Sequence, residues 1–312
     1  MTQLAMISTI MPHTNRQAAD NYRWALLATA ALVLIATLAG LIPVAILAAA
    51  FLVPVTYLVY IYDVNLWEDQ PVSVIAGLFL FTGVLSILIS AVFFHWIFAD
   101  QLRALGFGTR AGIGIPFGSL VLFTVLLPIV AEIAKNIGPL ILASRPAFDD
   151  MIDGLTFGIA AGTAYAAFET VIQHWGVFTS GTFRTTDGIS TWLVIVLNLM
   201  VVKSLIYGTA TGIAAAAFSG RGEGYDGFTS SYFMNLLFAV AANVVYWLGV
   251  RLLAYLPFGN ALGLLWGVLI LAVLVIRIRL MLHAALLEAA VEAAQTDSRP
   301  KGAVSQGGFC PE

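Results

Sequence analysis

The chain has 312 residues, of which 60% are hydrophobic and 10% charged, with a net charge of −3 and a mean hydropathy of +0.94. Soluble domains carry about 25% charged residues, so an ordinary soluble fold is excluded. The single cysteine, Cys310, excludes an internal disulfide and a cysteine metal site, and the lack of a basic run argues against nucleic acid as a partner.

Residues 1–23 read as a polar N-terminal tail without a cleavable signal pattern. Hydropathy then predicts about eight helices, at 24–40, 41–62, 73–98, 112–131 with room to extend to 138, 151–178, 189–218, 230–256 and 260–283. Each holds roughly the ~20 apolar residues that a bilayer crossing needs. Gly40-Leu41-Ile42-Pro43 joins the first two tightly, as a hairpin or as two full crossings. The run from Leu26 to Leu41 is continuously apolar, whereas the strands of a membrane barrel alternate. The expected fold is therefore all-α, a polytopic membrane helix bundle over 24–283 whose partner is the lipid bilayer. His283 to Ala294 can extend the last helix, and 284–312 reads as a polar, partly disordered C-terminal tail. No internal repeat and no soluble domain is evident. With eight spans the termini share one side of the membrane. That side holds Arg16, Arg23, Arg145, Arg221, Arg277, Arg279, Arg299 and Lys301, against Arg103, Arg110, Arg184 and Arg251 on the other. The excess predicts cytoplasmic termini.

An ionisable side chain at bilayer depth is costly, which makes it a functional-site hypothesis by default. The fourth span carries Pro128, expected to kink the helix and free a carbonyl, then Glu132 and Lys135 at i,i+3, with Asn136 on the same side. A structural ion pair is the plainer reading of Glu132 and Lys135. In the fifth span Gly154, Gly158 and Gly162 recur every fourth residue, a spacing that lets another helix approach closely. At about 100° per residue Glu169 falls about 60° from Gly154, inside this glycine face, with Tyr165 beside it. His174 falls about 200° away and reads as an interfacial residue. A structural hydrogen bond is the plainer role for Glu169, and Asp149, Asp150 and Asp153 read as helix-start acids. The sixth span has a second small-residue stripe, Gly208, Gly212 and Ala216. Ser204 and Asn198 can face its helix partner, while Lys203 points elsewhere unless its stem bends back, as in a snorkelling or ion-paired lysine. Asn235, Ala239 and Asn243 form one face of the seventh span, suited to interhelical hydrogen bonds.

Taken together these stretches resemble the PrsW family of intramembrane proteases, relatives of the CAAX prenyl endopeptidases. The resemblance covers about residues 55–245. A YDR-x-EPEP-like segment reads here as Tyr62, Asp63, then Glu68, Asp69, Gln70 and Pro71. An EE-x-x-K motif reads as Ala131, Glu132 and Lys135. The most specific match is Phe148, Asp149, Asp150, Asp153, Gly154, Gly158, Gly162, Tyr165, Ala166 and Glu169. The chain also departs from the pattern. Ala131 replaces the first Glu of the pair. Aligning on Thr211-Gly212 puts Ser204 at the position of a family histidine, and a one-residue shift puts Lys203 there. A later His-x-x-x-Asn pattern survives as Ala239 and Asn243.

The resemblance implies a peptidase that cuts single-pass membrane proteins such as anti-sigma factors. Glu132 would be the base, Glu169 an orienter or ligand, and Lys135, Tyr165, Ser204, Lys203 and Asn243 supporting residues. A divalent metal stays open as cofactor, although Glu132, Glu169 and Asn243 fall short of the three protein ligands of a catalytic zinc. The alternatives are a pseudoprotease that binds a transmembrane helix without cutting it, and a transporter with Glu132, Lys135 and Glu169 on its path.

Overall fold

The computed structural model describes residues 21–63, 71–100, 117–145, 148, 151–179, 188–220 and 226–297, the side chains of 21, 62, 63 and 284–297 excepted. Among these residues the fold is all-α. The helices are α1 Asn21–Leu38, α2 Ile42–Asp63, α3 Val72–Trp96, α4 Phe117–Ala143, α5 Met151–Gln173, α6 Ile189–Ser219, α7 Ser230–Leu253 and α8 Gly259–Asp297. All but α1 are long and apolar enough to cross a membrane. The polar tails at 1–20 and 298–312, the acidic segment 64–70, and Asp149 and Asp150 lie outside the described residues.

The α1–α2 hairpin follows from one glycine. Gly40 adopts φ 72°, its N–H donates to Thr37 O at 3.0 Å, and Leu41 N–H donates to Ala36 O at 2.8 Å. This pair of bonds caps α1 in a Schellman motif, whose left-handed residue favours glycine. Thr29 and Thr56 then share a 2.9 Å hydrogen bond across the hairpin.

The outer helices expose their apolar side chains, as a bilayer requires, whereas α5 is buried over most of its length. It is the central pillar, packed by α6, α3, α2 and α4. Three helices contain a π turn: Val92–Trp96 in α3, Leu122–Leu126 in α4 and Leu197–Val202 in α6. The one in α4 ends just before Leu127 and Pro128, so the proline expected to kink this span sits directly after a loosened turn.

Two spans run differently from their hydropathy. α4 continues to Ala143, because the buried Glu132 pairs with Lys135 and accepts from Asn136 inside the bundle, so that these residues lie within the helix and not at its end. The fifth span breaks at His174, whose side chain bonds back to Thr170 O at 3.0 Å, and resumes as a short helix Trp175–Thr179.

Candidate active site

The seam between α5 and α6 positions everything else. A Cβ added to Gly158 would come within 2.6 Å of Gly212 Cα and of Thr211 O. At Gly162 it would meet Tyr207 O and, at 2.7 Å, Gly208 Cα, and at Gly154 it would strike Ser219 and Ala215. Gly208 and Gly212 return the contact, against Thr163 Cγ2 at 2.6 Å and Ile159 Cγ1 at 3.0 Å. Backbone therefore rests on backbone along two turns, a spacing that only hydrogen in place of a side chain permits.

Beside this seam α4, α6 and α7 converge on one carboxylate. Glu132 Oε1 accepts from Thr211 Oγ1 at 3.0 Å and from Asn136 Nδ2 at 3.2 Å. Its Oε2 accepts from Asn243 Nδ2 at 2.8 Å and pairs with Lys135 Nζ one helical turn along. Glu132, Lys135 and Asn243 are all buried. Each oxygen is engaged twice, which is what a charge in a low-dielectric interior needs.

A second ion pair lies on the neighbouring part of the seam. Lys203 Nζ stands 3.1 Å from Glu169 Oε2 and 3.3 Å from Gln173 Oε1. The two pairs adjoin at Tyr207, whose ring centre is 3.9 Å from Lys135 Nζ and 5.9 Å from Lys203 Nζ. Tyr207 Oη in turn accepts from Trp247 Nε1 at 2.7 Å. Tyr165 is fully buried against Tyr207, and Ser204 Oγ and Glu169 Oε1 find no hydrogen-bond partner.

Several side chains stand where angular spacing alone does not put them. Asn198 faces away from α5: its carbonyl and side-chain oxygens accept from Tyr246 Oη at 3.2 and 3.3 Å, and it lies against Gly267 of α8. The cause is the π turn at Leu197–Val202, which inserts extra arc and rotates everything N-terminal to it relative to a regular helix. Asn235 turns to α8 and accepts from Arg277 at 3.1 Å, so it does not share the Glu132 cluster with Asn243. Thr211 and Gln173 bind the two glutamate pairs without having been singled out in the sequence. Thr211 was hidden as one small residue in a small-residue seam.

The vacated motif positions are equally defined. Ala131 is 1% exposed and Ala239 0%, and both belong to one apolar cluster with Tyr165, Tyr207, Tyr246 and Trp247. Two positions that the resemblance assigns to a carboxylate and an imidazole are thus closed by side-chain packing.

A polytopic helical membrane protein built around two lysine-paired glutamates is the class that this fold and site define. Residues 70–276 match the PrsW family intramembrane metalloprotease family, and the chain belongs to that family. No curated protein and no solved structure matches it.

The family's metal does not fit the donors present. Among the described residues no three His, Cys, Asp or Glu side chains converge. His95 Nε2–H donates to Ile172 O at 2.8 Å and His174 Nδ1–H donates to Thr170 O at 3.0 Å, so both rings are engaged with backbone carbonyls. The one carboxylate oxygen left over, Glu169 Oε1, belongs to a group already holding an ammonium. A divalent ion coordinated there would sit about 4–5 Å from that ammonium, a repulsion on the order of 7 kcal/mol at an effective dielectric of ~20.

Proposed function

We propose that this chain is a non-hydrolysing member of its family, a multi-pass membrane protein with cytoplasmic termini that binds a transmembrane helix of a single-pass protein without cutting it. The observation that carries the reading is the burial of Ala131 and Ala239 in one apolar cluster, at the positions where the motifs call for an acid and a histidine. The state of Glu132 adds support. A general base must have a free lone pair aimed at the proton it removes. Both Glu132 oxygens accept from side chains of this protein, and one of them is also ion-paired.

One observation favours hydrolysis instead. Three helices hold Glu132 in a single orientation, which is how a catalytic base is positioned. In that reading Glu132 activates water and Glu169 orients it.

A library of tagged single-pass membrane proteins, expressed in cells with and without this chain, separates the two. A photoreactive amino acid introduced at exposed α1 or α8 positions reports binding. The expected result is crosslinks to membrane segments and no fragment that depends on the protein. Fragments that appear with the protein and vanish with Glu132→Gln would overturn the non-hydrolysing reading.

A further inference from the structure

Lys203 Nζ lies between two oxygens, Glu169 Oε2 and Gln173 Oε1, with the ring of Tyr207 at 5.9 Å and that of Trp247 at 6.0 Å. Oxygen acceptors and aromatic faces around one positive charge make a cation site. Its occupant here is a cation that the chain itself carries. Lys135 repeats the arrangement with Glu132, the Tyr207 ring at 3.9 Å and the Tyr165 ring at 6.0 Å. Both lysines are 0% exposed. Two ammonium groups stand against two carboxylates, and the Arg251 guanidinium, 5.3 Å from the Trp247 ring centre, is a further cation nearby.

We propose that the tethered Lys203 ammonium takes the place of a metal cation at Glu169, so that this member of a metalloprotease family holds that buried carboxylate without one, and that Lys203 is the residue that keeps a divalent ion out of the Glu169 site. The proposal deepens the non-hydrolysing reading and rests on it in taking the hydrolytic centre as lost. The positions make Lys203 the more informative of the two lysines. Lys135 sits within the same helix turn as its partner, whereas Lys203 crosses from α6 to α5 and meets a second oxygen there. Removing its side chain would leave Glu169 Oε2 and Gln173 Oε1 facing one emptied position, with Glu169 Oε1 on the same carboxylate still without a partner.

The test uses the full-length protein purified in detergent. Metal content is measured by mass spectrometry after dialysis against zinc or manganese, and thermal unfolding is followed with and without EDTA. The native protein is expected to carry only sub-stoichiometric metal and to keep its Tm on chelation. Lys203→Ala is expected to lose about 5–8 °C in the absence of metal, because a buried charge has lost its partner. It should recover part of that loss with zinc or manganese and take up measurably more of either ion than the native protein, since a ligand that binds only the folded state raises its stability. Stoichiometric metal in the native protein, or a native Tm that falls with EDTA, overturns the proposal. A folded Lys203→Ala that takes up neither ion removes the excluding role of Lys203. Should that variant fail to fold, Lys203→Met preserves the packing of the stem and is read in the same way, and the EDTA arm on the native protein decides without either. Cleavage is a separate readout. A metal-free protein that cuts would sink the non-hydrolysing reading alone, and a metal-loaded protein that does not cut would sink this one alone.

Discussion

Asn243 on α7 donates a 2.8 Å hydrogen bond to Glu132 on α4, while its amide also bonds to Ala239 O in its own helix at 2.9 Å. The second bond holds the first in line. Asn243→Ala is expected to cost about 1.5–3 kcal/mol, the range for a hydrogen bond to a charged group. For a chain of this size that is about 2–5 °C in Tm, readable by scanning fluorimetry in detergent. A Tm unchanged by the substitution would mean that water replaces the amide freely.

Glu132 and Lys135 should behave as one energetic unit. Breaking a buried pair from one side leaves an uncompensated charge and costs about 3–5 kcal/mol, whereas removing both partners is far less harmful. Glu132→Gln and Lys135→Met should therefore each be strongly destabilising, and the double variant close to the native protein. A double-mutant cycle in urea or by thermal unfolding measures the coupling. Additive losses would show that the pair contributes nothing as a pair.

The glycine seam gives a sharp contrast. Gly158→Val must push a side chain into the backbone of Gly212 and Thr211, while a Cβ at Gly77 on α3 meets nothing within 4 Å. Overpacking of this kind costs about 1–3 kcal/mol, occasionally more, so Gly158→Val should lower yield and Tm where Gly77→Val does neither. Cysteines at Gly158 and Gly212 should also crosslink on oxidation. Equal tolerance at both glycines would mean that α5 and α6 are not in backbone contact.

Much of this was legible from the chain. Long apolar runs gave the helices, the four-residue spacing of Gly154, Gly158 and Gly162 pointed to a close helix partner, and i,i+3 spacing put Lys135 against Glu132. The parts that escaped share a cause. Angular arithmetic assumes a regular helix, and the π turn at Leu197–Val202 breaks that assumption for Asn198. It also treats a side chain as a direction, whereas the stem of Lys203 is long enough to return to Glu169 from an unfavourable angle. Thr211 carries no signal of its own, since threonines in membrane helices commonly bond their own backbone. The fourth span, expected at 112–131 with room to extend to 138, continues to Ala143, because the buried pairing of Glu132 with Lys135 carries the helix through its charged residues.

Ala131→Glu tests whether the vacated motif position can be refilled. The new carboxylate would enter the apolar cluster around Tyr165 and Tyr207, close to Glu132. An unpaired buried charge costs about 3–5 kcal/mol, so folded yield should fall sharply. Adding Ala239→His, which supplies a cationic partner in the same cluster, should restore part of it. Wild-type stability for Ala131→Glu alone would show that the position is open to water, and would favour the peptidase reading.

Along the α5–α6 seam main chain meets main chain at Gly158 and Gly162, and the buried side chains of Ile159 and Thr163 fill the space between these contacts. Two helices held at backbone contact have little room to roll. Any opening of the bundle to admit another helix must therefore leave this pair as a fixed stator and be carried by the flanking elements. The α1–α2 hairpin is suited to that part: its first helix is short, and a single glycine turn joins it to the next. A helix that joins such a bundle is therefore expected at its periphery and not at its centre.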